Sequence, residues 1–350
     1  MKLKACCRIE RNDKEVLQLG TIDIIIPVYK PEKSFFTLIE RLENQTVPVN
    51  RILLLNTEQK YFERLIYGTS FLEKYRNVYV RHLSRLEFNH GGTRKKGVQK
   101  SDAPVFVMMT QDAIPEDEHM LEHLVKPLED GKVAASYARQ LAAEDSSEIE
   151  RYMRLFNYPE QSRVKSKADL SSLGIKTYFC SNVCAAYNRK IYEELGGFIK
   201  HTIFNEDMIY AAAAIQAGYL IVYAAEAKVI HSHNYTFSQQ FRRNFDLGVS
   251  QADHPEVFAG ISSEGEGVQM LKDISAHLWK SGKKRMIPKL YIEGACRYAG
   301  YTLGKHYKGL SQKMVLKCTM NKTYWEQTGR IRSSEGIDAT KGYGKSEDEG

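Results

Sequence analysis

The chain has 350 residues, 43% hydrophobic and 27% charged, with a formal net charge of +7. That length can bury a large core, and the composition is ordinary for a globular protein. No apolar run approaches the roughly 18 residues that suggest a membrane span.

Residues 21–29 form a near-continuous β-branched run, as expected of a strand buried on both faces, with Pro27 ending its ladder capacity. Residues 34–43 carry Phe35, Leu38, Ile39 and Leu42 at helical spacing. A second strand over 51–55 closes in Asn56 and Thr57. A helix is expected over 61–74 and a third strand over 77–83. The polar, glycine-bearing loop 88–94 (FNHGGTR) then leads into a short helix. Five apolar residues after Pro104 make a fourth strand, which a polar triplet, Thr110-Gln111-Asp112, ends. Strand alternating with helix predicts an α/β fold, a doubly wound and mostly parallel sheet.

Asp112 therefore sits where a strand runs out into a loop, the edge at which open α/β sheets bind ligands. A carboxylate there suits a hard divalent cation bridging to phosphate oxygens, or it caps the next helix. After Pro115 a helix is expected over 116–128 and a strand over 133–138. Residues 142–176 are polar and irregular, with one helix around 149–156. A long loop of this kind is often a functional flap. A strand over 178–187 follows, then a helix over 189–195 closed by Gly196 and Gly197. An alanine-rich helix opens at Glu206-Asp207 and closes at Gly218. Two short strands, 219–223 and 227–230, lead into His231-Ser232-His233. On an extended segment the two histidines share a face. They either complete a cation's shell beside Asp112, His231 first, or hydrogen-bond locally. The acidic pair at a helix start also suits the macrodipole.

From residue 235 on, strands vanish, and helices are expected over 237–247, 268–279 and 287–303. Residues 236–330 hold fifteen Lys or Arg against eight Asp or Glu, which accounts for the whole net charge. A basic segment with Tyr291, Tyr298, Tyr301 and Tyr307 suggests an anionic partner, a membrane surface first, with self-association as the competing use. The domain division is thus a lead-in over 1–20, a core domain over 21–235, a basic helical extension over 236–330 and a disordered tail over 331–350. The first eight residues lack an apolar h-region, so no signal peptide is expected. Six cysteines without zinc spacing, Cys180 and Cys184 among them in apolar sequence, point to reduced cytoplasm.

No Gly-x-Gly-x-x-Gly follows the first strand, and Gly92-x-x-x-x-Gly97 runs on into Val98-Gln99. A dinucleotide-binding Rossmann domain and a P-loop are excluded. No helix-turn-helix or zinc pattern appears, so no nucleic-acid partner is expected.

The ordered set of motifs resembles family 2 glycosyltransferases of the GT-A fold, over residues 20–235. The set is Ile25-Ile26-Pro27-Val28-Tyr29, Asn56, Asn89-His90-Gly91-Gly92-Thr93-Arg94, Thr110-Gln111-Asp112, Glu206-Asp207 and His231-x-His233. The wording is most similar to the bacterial rhamnosyltransferase branch, as are Arg242-Arg243 and Tyr324-Trp325 in the helical tail. The resemblance implies a nucleobase pocket at Pro27, Val28 and Tyr29, with Asn56 in place of the family's acidic residue. It puts Asn89, Gly92, Arg94 and Gln111 toward the ribose and diphosphate. Lys95 stands where the family has asparagine. The metal-binding Asp-x-Asp keeps only Asp112, completed by His231 or His233, with Mg²⁺ or Mn²⁺ as the ion. Asp207, beside Glu206, falls at the catalytic base, and Ser181 and Asn182 face the acceptor. The implied activity is inverting transfer of L-rhamnose from dTDP-rhamnose to a lipid-linked surface polysaccharide, by a peripheral protein at the inner face of the cell membrane. Another nucleotide sugar such as a UDP-hexose, or non-catalytic binding of a nucleotide sugar or polyanion, is the alternative.

Overall fold

The structure is a computed structural model that describes residues 21–260 and 264–329. The expected lead-in and the tail over 331–350 lie outside the described residues. Nine strands form one sheet: β1 Ile22–Tyr29, β2 Val49–Thr57, β3 Val78–Leu83, β4 Val105–Met109, β5 Ile114–Pro115, β6 Val133–Leu141, β7 Arg163–Lys165, β8 Cys184–Asn188 and β9 Leu220–Ile230. Their order is β3-β2-β1-β4-β8-β6-β9-β5, with β7 also on β9. The ladders β1–β2, β2–β3, β1–β4 and β6–β9 are parallel. β8 runs against both β4 and β6.

The reversal at β8 restores the original direction to β6 and β9, and the short strands β5 and β7 run against β9. The carboxyl ends of β1, β2, β4 and β9 therefore open on one edge, and β8 begins there. Alternation along β1 divides the core. Ile24, Ile26 and Val28 pack with Leu38, Phe62 and Leu121 on one face, while Ile25 meets Leu53, Phe106 and Met108 on the other. Helices cover both faces, as a parallel sheet requires.

Several elements depart from the sequence pattern for local reasons. Pro27 ends pairing toward β4, whose ladder stops at Ile25, but β1 continues along β2 to Tyr29. Proline lacks only the N–H, so one side of the strand is free to continue. The helix expected over 61–74 is two, Gln59–Ile66 and Phe71–Lys74, parted at Gly68 with φ +72°. The strand expected over 178–187 is confined to β8, preceded by a 3₁₀ turn at Gly174–Tyr178. The two short strands over 219–230 are one, β9, with a bulge where its register on β6 shifts after Ala138. Cys180 and Cys184 are buried free thiols, as expected.

Beyond residue 235 the helices Phe237–Asp253 and Ile287–Lys305 pack backbone to backbone. Small residues permit the approach. A Cβ on Gly300 or Gly304 would overlap the carbonyl oxygen of Phe241 or Phe245, and one on Gly248 that of Tyr301. Ile203, Phe245, Val249, Tyr307 and Trp325 form a core joining these helices to the loop before Glu206. Tyr307 is thus inside, its hydroxyl donating to Asp253 at 2.6 Å, while Tyr291 and Tyr298 face outward. We predict that Gly304→Ala lowers stability by about 2 kcal/mol, the usual cost of forcing atoms into a packed site. Gly267→Ala, where nothing lies within 4 Å, should be neutral or stabilising by about 0.5 kcal/mol. Paired thermal melts check both.

Candidate active site

The short strand β5 decides where Asp112 points. Ile114 and Pro115 pair with Ile230 and Val229 at the end of β9, so the turn carrying Asp112 is laced to the residues leading into His231. Asp112 Oδ1 lies 3.4 Å from His231 Nδ1, and Oδ2 lies 3.5 Å from His233 Nε2. One ligand atom from each of the three lies within 4.8 Å of the others. His231 is buried, and its Nδ1 has no hydrogen-bond partner. Burial pushes the Asp112 carboxyl up, but the imidazole of His231, the Thr110 hydroxyl and His233 outweigh it and hold it well below the usual carboxylate range. Burial, then His231, push His233 down to about 4, which keeps its ring neutral and able to ligate. Two imidazoles and a carboxylate around one point, one nitrogen orphaned, fit a divalent cation with coordination positions left open.

The second half of the site forms at the start of the Glu206–Gln216 helix. Asn205 precedes it in the left-handed region, φ +65°, held by its amide on Ser250 Oγ at 3.2 Å. Arg94 Nη1 pairs with Glu206 Oε1 at 3.0 Å, both side chains nearly buried, and Asn182 Nδ2 donates to the same oxygen at 3.1 Å. Asp207 accepts from the backbone N–H of Asn182 at 2.9 Å and of Met208 at 2.8 Å. Burial and the neighbouring Glu206 charge raise the Asp207 carboxyl to about 7. Burial opposes Glu206 ionisation too, yet Arg94 and the hydrogen bond from Asn182 bring it below its ordinary value. Two adjacent carboxyls thus differ in proton affinity, the arrangement that separates a base from a structural anion.

The loop carrying Ser181 and Asn182 runs into β8 and is fixed from both sides. Thr110 N–H donates to Val183 O at 3.1 Å. The buried Lys165 ammonium, pushed down to about 7 by burial, donates to the carbonyls of Lys176 and Phe179 and to the Tyr137 hydroxyl. Asp112, His231 and His233 line one cleft of about 500 Å³ together with Arg94, Glu206 and Asp207. Ser181 and Asn182 line it as well.

The other sequence-derived residues stand outside that lining. Val28 lies in the core and Pro27 is half-buried. Tyr29 is 39% exposed and meets Tyr61 edge to face, with Lys30 near both rings. Gln111 clasps the Tyr29 backbone, accepting from its N–H at 2.8 Å and donating to its carbonyl at 2.9 Å. Asn56 is fully buried, its amide 2.9 Å from His82 Nδ1 and its Oδ1 unpartnered. Asn89 caps the His90–Val98 helix, accepting from Gly92 N–H at 3.0 Å. A Cβ on Gly91 or Gly92 would collide with the carbonyl of Ile199 or Lys200, so the loop needs both glycines to pack.

Sequence reasoning assigned the helical extension to surface contact and so missed four cleft residues there, Gln240, Arg243, Asn244 and Arg297. The Arg243 guanidinium lies over the rings of Phe204 at 4.8 Å and Tyr235 at 5.7 Å, and it makes no ion pair among the described residues. Its signal was available: an arginine pair a few residues beyond the His-x-His.

A mixed sheet opening its carboxyl edge on a carboxylate–histidine cluster and a buried acid pair defines a GT-A-type fold. The model of the family "Glycosyl transferase family 2" matches residues 23–196. The chain is 38% identical over 318 residues, 90% of it and 99% of the relative, to the O-antigen chain rhamnosyltransferase RfbN of Salmonella typhimurium. It is also 38% identical over 322 residues, 91% and 99%, to the O-antigen chain rhamnosyltransferase WbaN of Salmonella anatum. The mannosyltransferase PcManGT of Pyrobaculum calidifontis, solved with GDP-Man and Mn²⁺, superposes over 88% of this chain and 86% of its own, at a TM-score of 0.50 and 14% identity. The chain belongs to glycosyl transferase family 2. It is therefore a glycosyltransferase, similar to bacterial rhamnosyltransferases over most of its length.

Breaking one partner of the Arg94–Glu206 pair should leave a buried, uncompensated guanidinium. Glu206→Gln is expected to cost about 3 kcal/mol, read by urea denaturation at pH 7.5.

Proposed function

We propose that this protein transfers L-rhamnose from dTDP-rhamnose, with inversion, to a lipid-linked glycan of a surface polysaccharide. The observation that carries the reading is that Asp112 with its two histidines and Asp207 line one cleft. The curated relatives, both O-antigen chain rhamnosyltransferases, support the sugar and the acceptor class. A sugar hydroxyl is a poor nucleophile. Asp207, held by two N–H groups and raised to about 7, takes its proton as attack proceeds, in the fraction of molecules where it is ionised. Glu206 stays anionic beside it, and Arg94 neutralises Glu206 instead of competing for the base. Attack opposite the leaving diphosphate inverts the anomeric centre.

Asp112, His231 and His233 would hold the divalent cation, and two imidazoles favour Mn²⁺ over Mg²⁺, which prefers all-oxygen shells. When bound, the ion supplies Lewis-acid neutralisation of the departing diphosphate. Arg243, which makes no ion pair among the described residues, supplies the fixed positive charge from the protein side. Tyr29 and Tyr61 at the carboxyl edge of β1 offer the aromatic platform for the nucleobase. Asn89, Gly92 and Gln111 shape the loops around ribose and diphosphate, and Ser181 and Asn182 meet the acceptor. Pro27 and Val28 set the backbone of the pocket, with Asn56 behind it.

Asp207→Asn should lower transfer by about 10³-fold, within the range of a lost general base. For the wild type, kcat/KM should rise with pH through about 7, because the base must be ionised. In Glu206→Gln the midpoint should move down, since the neighbouring negative charge that raises it is gone. A donor panel of dTDP-rhamnose, UDP-glucose and GDP-mannose, scored by nucleotide release, tests the sugar. A larger rate with UDP-glucose sinks the rhamnose assignment.

The protein works at the inner face of the membrane, by this reading, and the 236–330 extension is its contact. No described helix is long and apolar enough to cross a membrane. Trp279 and Tyr298 are each 60% exposed, Tyr291 and Ile292 half exposed, and Lys284 lies over the Trp279 ring at 3.9 Å. Such faces suit an anionic interface. The full chain should float with phosphatidylglycerol vesicles, and Trp279→Ser with Tyr298→Ser should sink. Equal flotation, with a concentration-dependent dimer lost in the double variant, would assign the face to self-association.

A further inference from the structure

A second cavity of about 490 Å³ continues from the catalytic cleft. Five residues line both: Glu150, His233, Tyr235, Gln240 and Arg297. The cleft therefore does not end at the histidine cluster. It passes between the Glu148–Asn157 helix and the helices Phe237–Asp253 and Ile287–Lys305. These walls are firm. Ile149 packs with Ile274, Leu278 and Leu290, and Lys283 pairs with Glu148 at 2.7 Å.

The lining is mixed in a way that selects a ligand class. The carboxylates Asp145, Glu150 and Glu293 line it with the cations Lys289 and Arg297, and Glu150 is already paired with Arg154 at 2.8 Å. The remaining charges balance, so the lining offers an anion no net attraction. Phe237 is 41% exposed at the rim, and the Tyr235 ring lies 4.8 Å from that of His233. Glu293 is 7% exposed, yet its oxygens stand 3.6 Å from Arg297 Nη2 and 3.9 Å from Lys289 Nζ, beyond hydrogen-bond distance. The two cations offset its charge at ion-pair range, while its oxygens face the cavity with acceptor capacity that a bound hydroxyl can use. Carboxylates beside aromatic faces suit an uncharged polyol, whose hydroxyls donate while its C–H face covers a ring.

We propose that this cavity is a second sugar-binding subsite, which receives a neutral pyranose of the acceptor glycan beyond the unit whose hydroxyl is glycosylated. The proposal rests on the glycosyltransferase reading of the adjoining cleft. Glu293 accepts from vicinal hydroxyls, Phe237 covers the apolar face, and Arg297 donates to a ring or bridging oxygen. The subsite makes the enzyme choose a chain of at least two sugars over a single one, at no expense to the donor side of the cleft.

The test titrates the full-length protein with methyl β-galactoside and lactose, methyl α-glucoside and maltose, and pyrophosphate, by saturation-transfer NMR. At least one disaccharide should bind about tenfold more tightly than its monosaccharide, the worth of one or two net hydrogen bonds. Glu293→Gln should abolish the difference. Phe237→Ala, at an exposed position that folding does not need, should reduce it independently. Equal affinity for mono- and disaccharides in the wild type would overturn the subsite, as would a disaccharide preference unchanged in both variants. Displacement of the disaccharide by pyrophosphate would also overturn it, in favour of an anion site. Transfer assays with the same pairs separate the two readings. Rhamnose transfer that ignores acceptor length counts against the subsite alone. A disaccharide preference lost in both variants, in a protein that moves no rhamnose, supports the subsite and counts against the donor assignment.

Discussion

The buried pair between Arg94 and Glu206 joins two halves of the chain that are otherwise separate in sequence. Arg94 belongs to the helix that follows the glycine loop, and Glu206 opens the alanine-rich helix more than a hundred residues later. Their 3.0 Å contact fixes the distance between the glycine-bearing loop and the acid pair. It also sets charge. Arg94 and Asn182 keep Glu206 ionised, and its charge, together with burial, gives the adjoining Asp207 the elevated proton affinity. Position and reactivity therefore depend on one ion pair. Its burial makes it strong only while both partners are present.

Much of this was legible in the sequence because the physics was local. The strands β1, β2 and β4 are covered on both faces, so they read as unbroken apolar runs. Asp112 was placed by a strand ending, and the family resemblance joined it to the two histidines, whose meeting in the structure comes from the β5–β9 pairing. What stayed hidden depended on distant partners. Residues 178–183 look like a strand, but the backbone N–H of Asn182 bonds Asp207 in place of a neighbouring strand. The family resemblance put the loop carrying Gly91 and Gly92 toward the ribose and diphosphate. In the structure the two glycines also let the Ile199 and Lys200 carbonyls approach, a constraint with no trace in local pattern. Arg243 was hidden for a similar reason, since one of its two aromatic partners, Phe204, is nearly forty residues upstream.

The extension beyond residue 235 is more than a surface appendage in its packing. The Phe237–Asp253 helix supplies Gln240 and Arg243 to the cleft and Ser250 to the strained Asn205. Asp246, buried and raised to about 7 by burial, gathers Thr319, Met320 and Asn321 around it. The same segment thus combines outward aromatic and basic faces with inward polar contacts. The outward face with Tyr291 and Tyr298 and a wall that lines the cleft are then parts of one helical pair, held at close range by Gly248, Gly300 and Gly304.

The last described helix, Lys322–Gln327, reaches back across the whole molecule. Gln327 donates to the carbonyls of Leu86 and Phe88, each at 2.6 Å, and the Tyr324 ring stacks on His201. The loop that begins the glycine motif is therefore clasped by the last described helix. During synthesis every described strand is available once residue 230 has left the ribosome, but this clasp is missing until some hundred residues later. A nascent chain can thus pair its described strands well before that loop is held. A proteolytic clip near residue 320 would leave a sheet-bearing remnant whose glycine loop has lost its anchor.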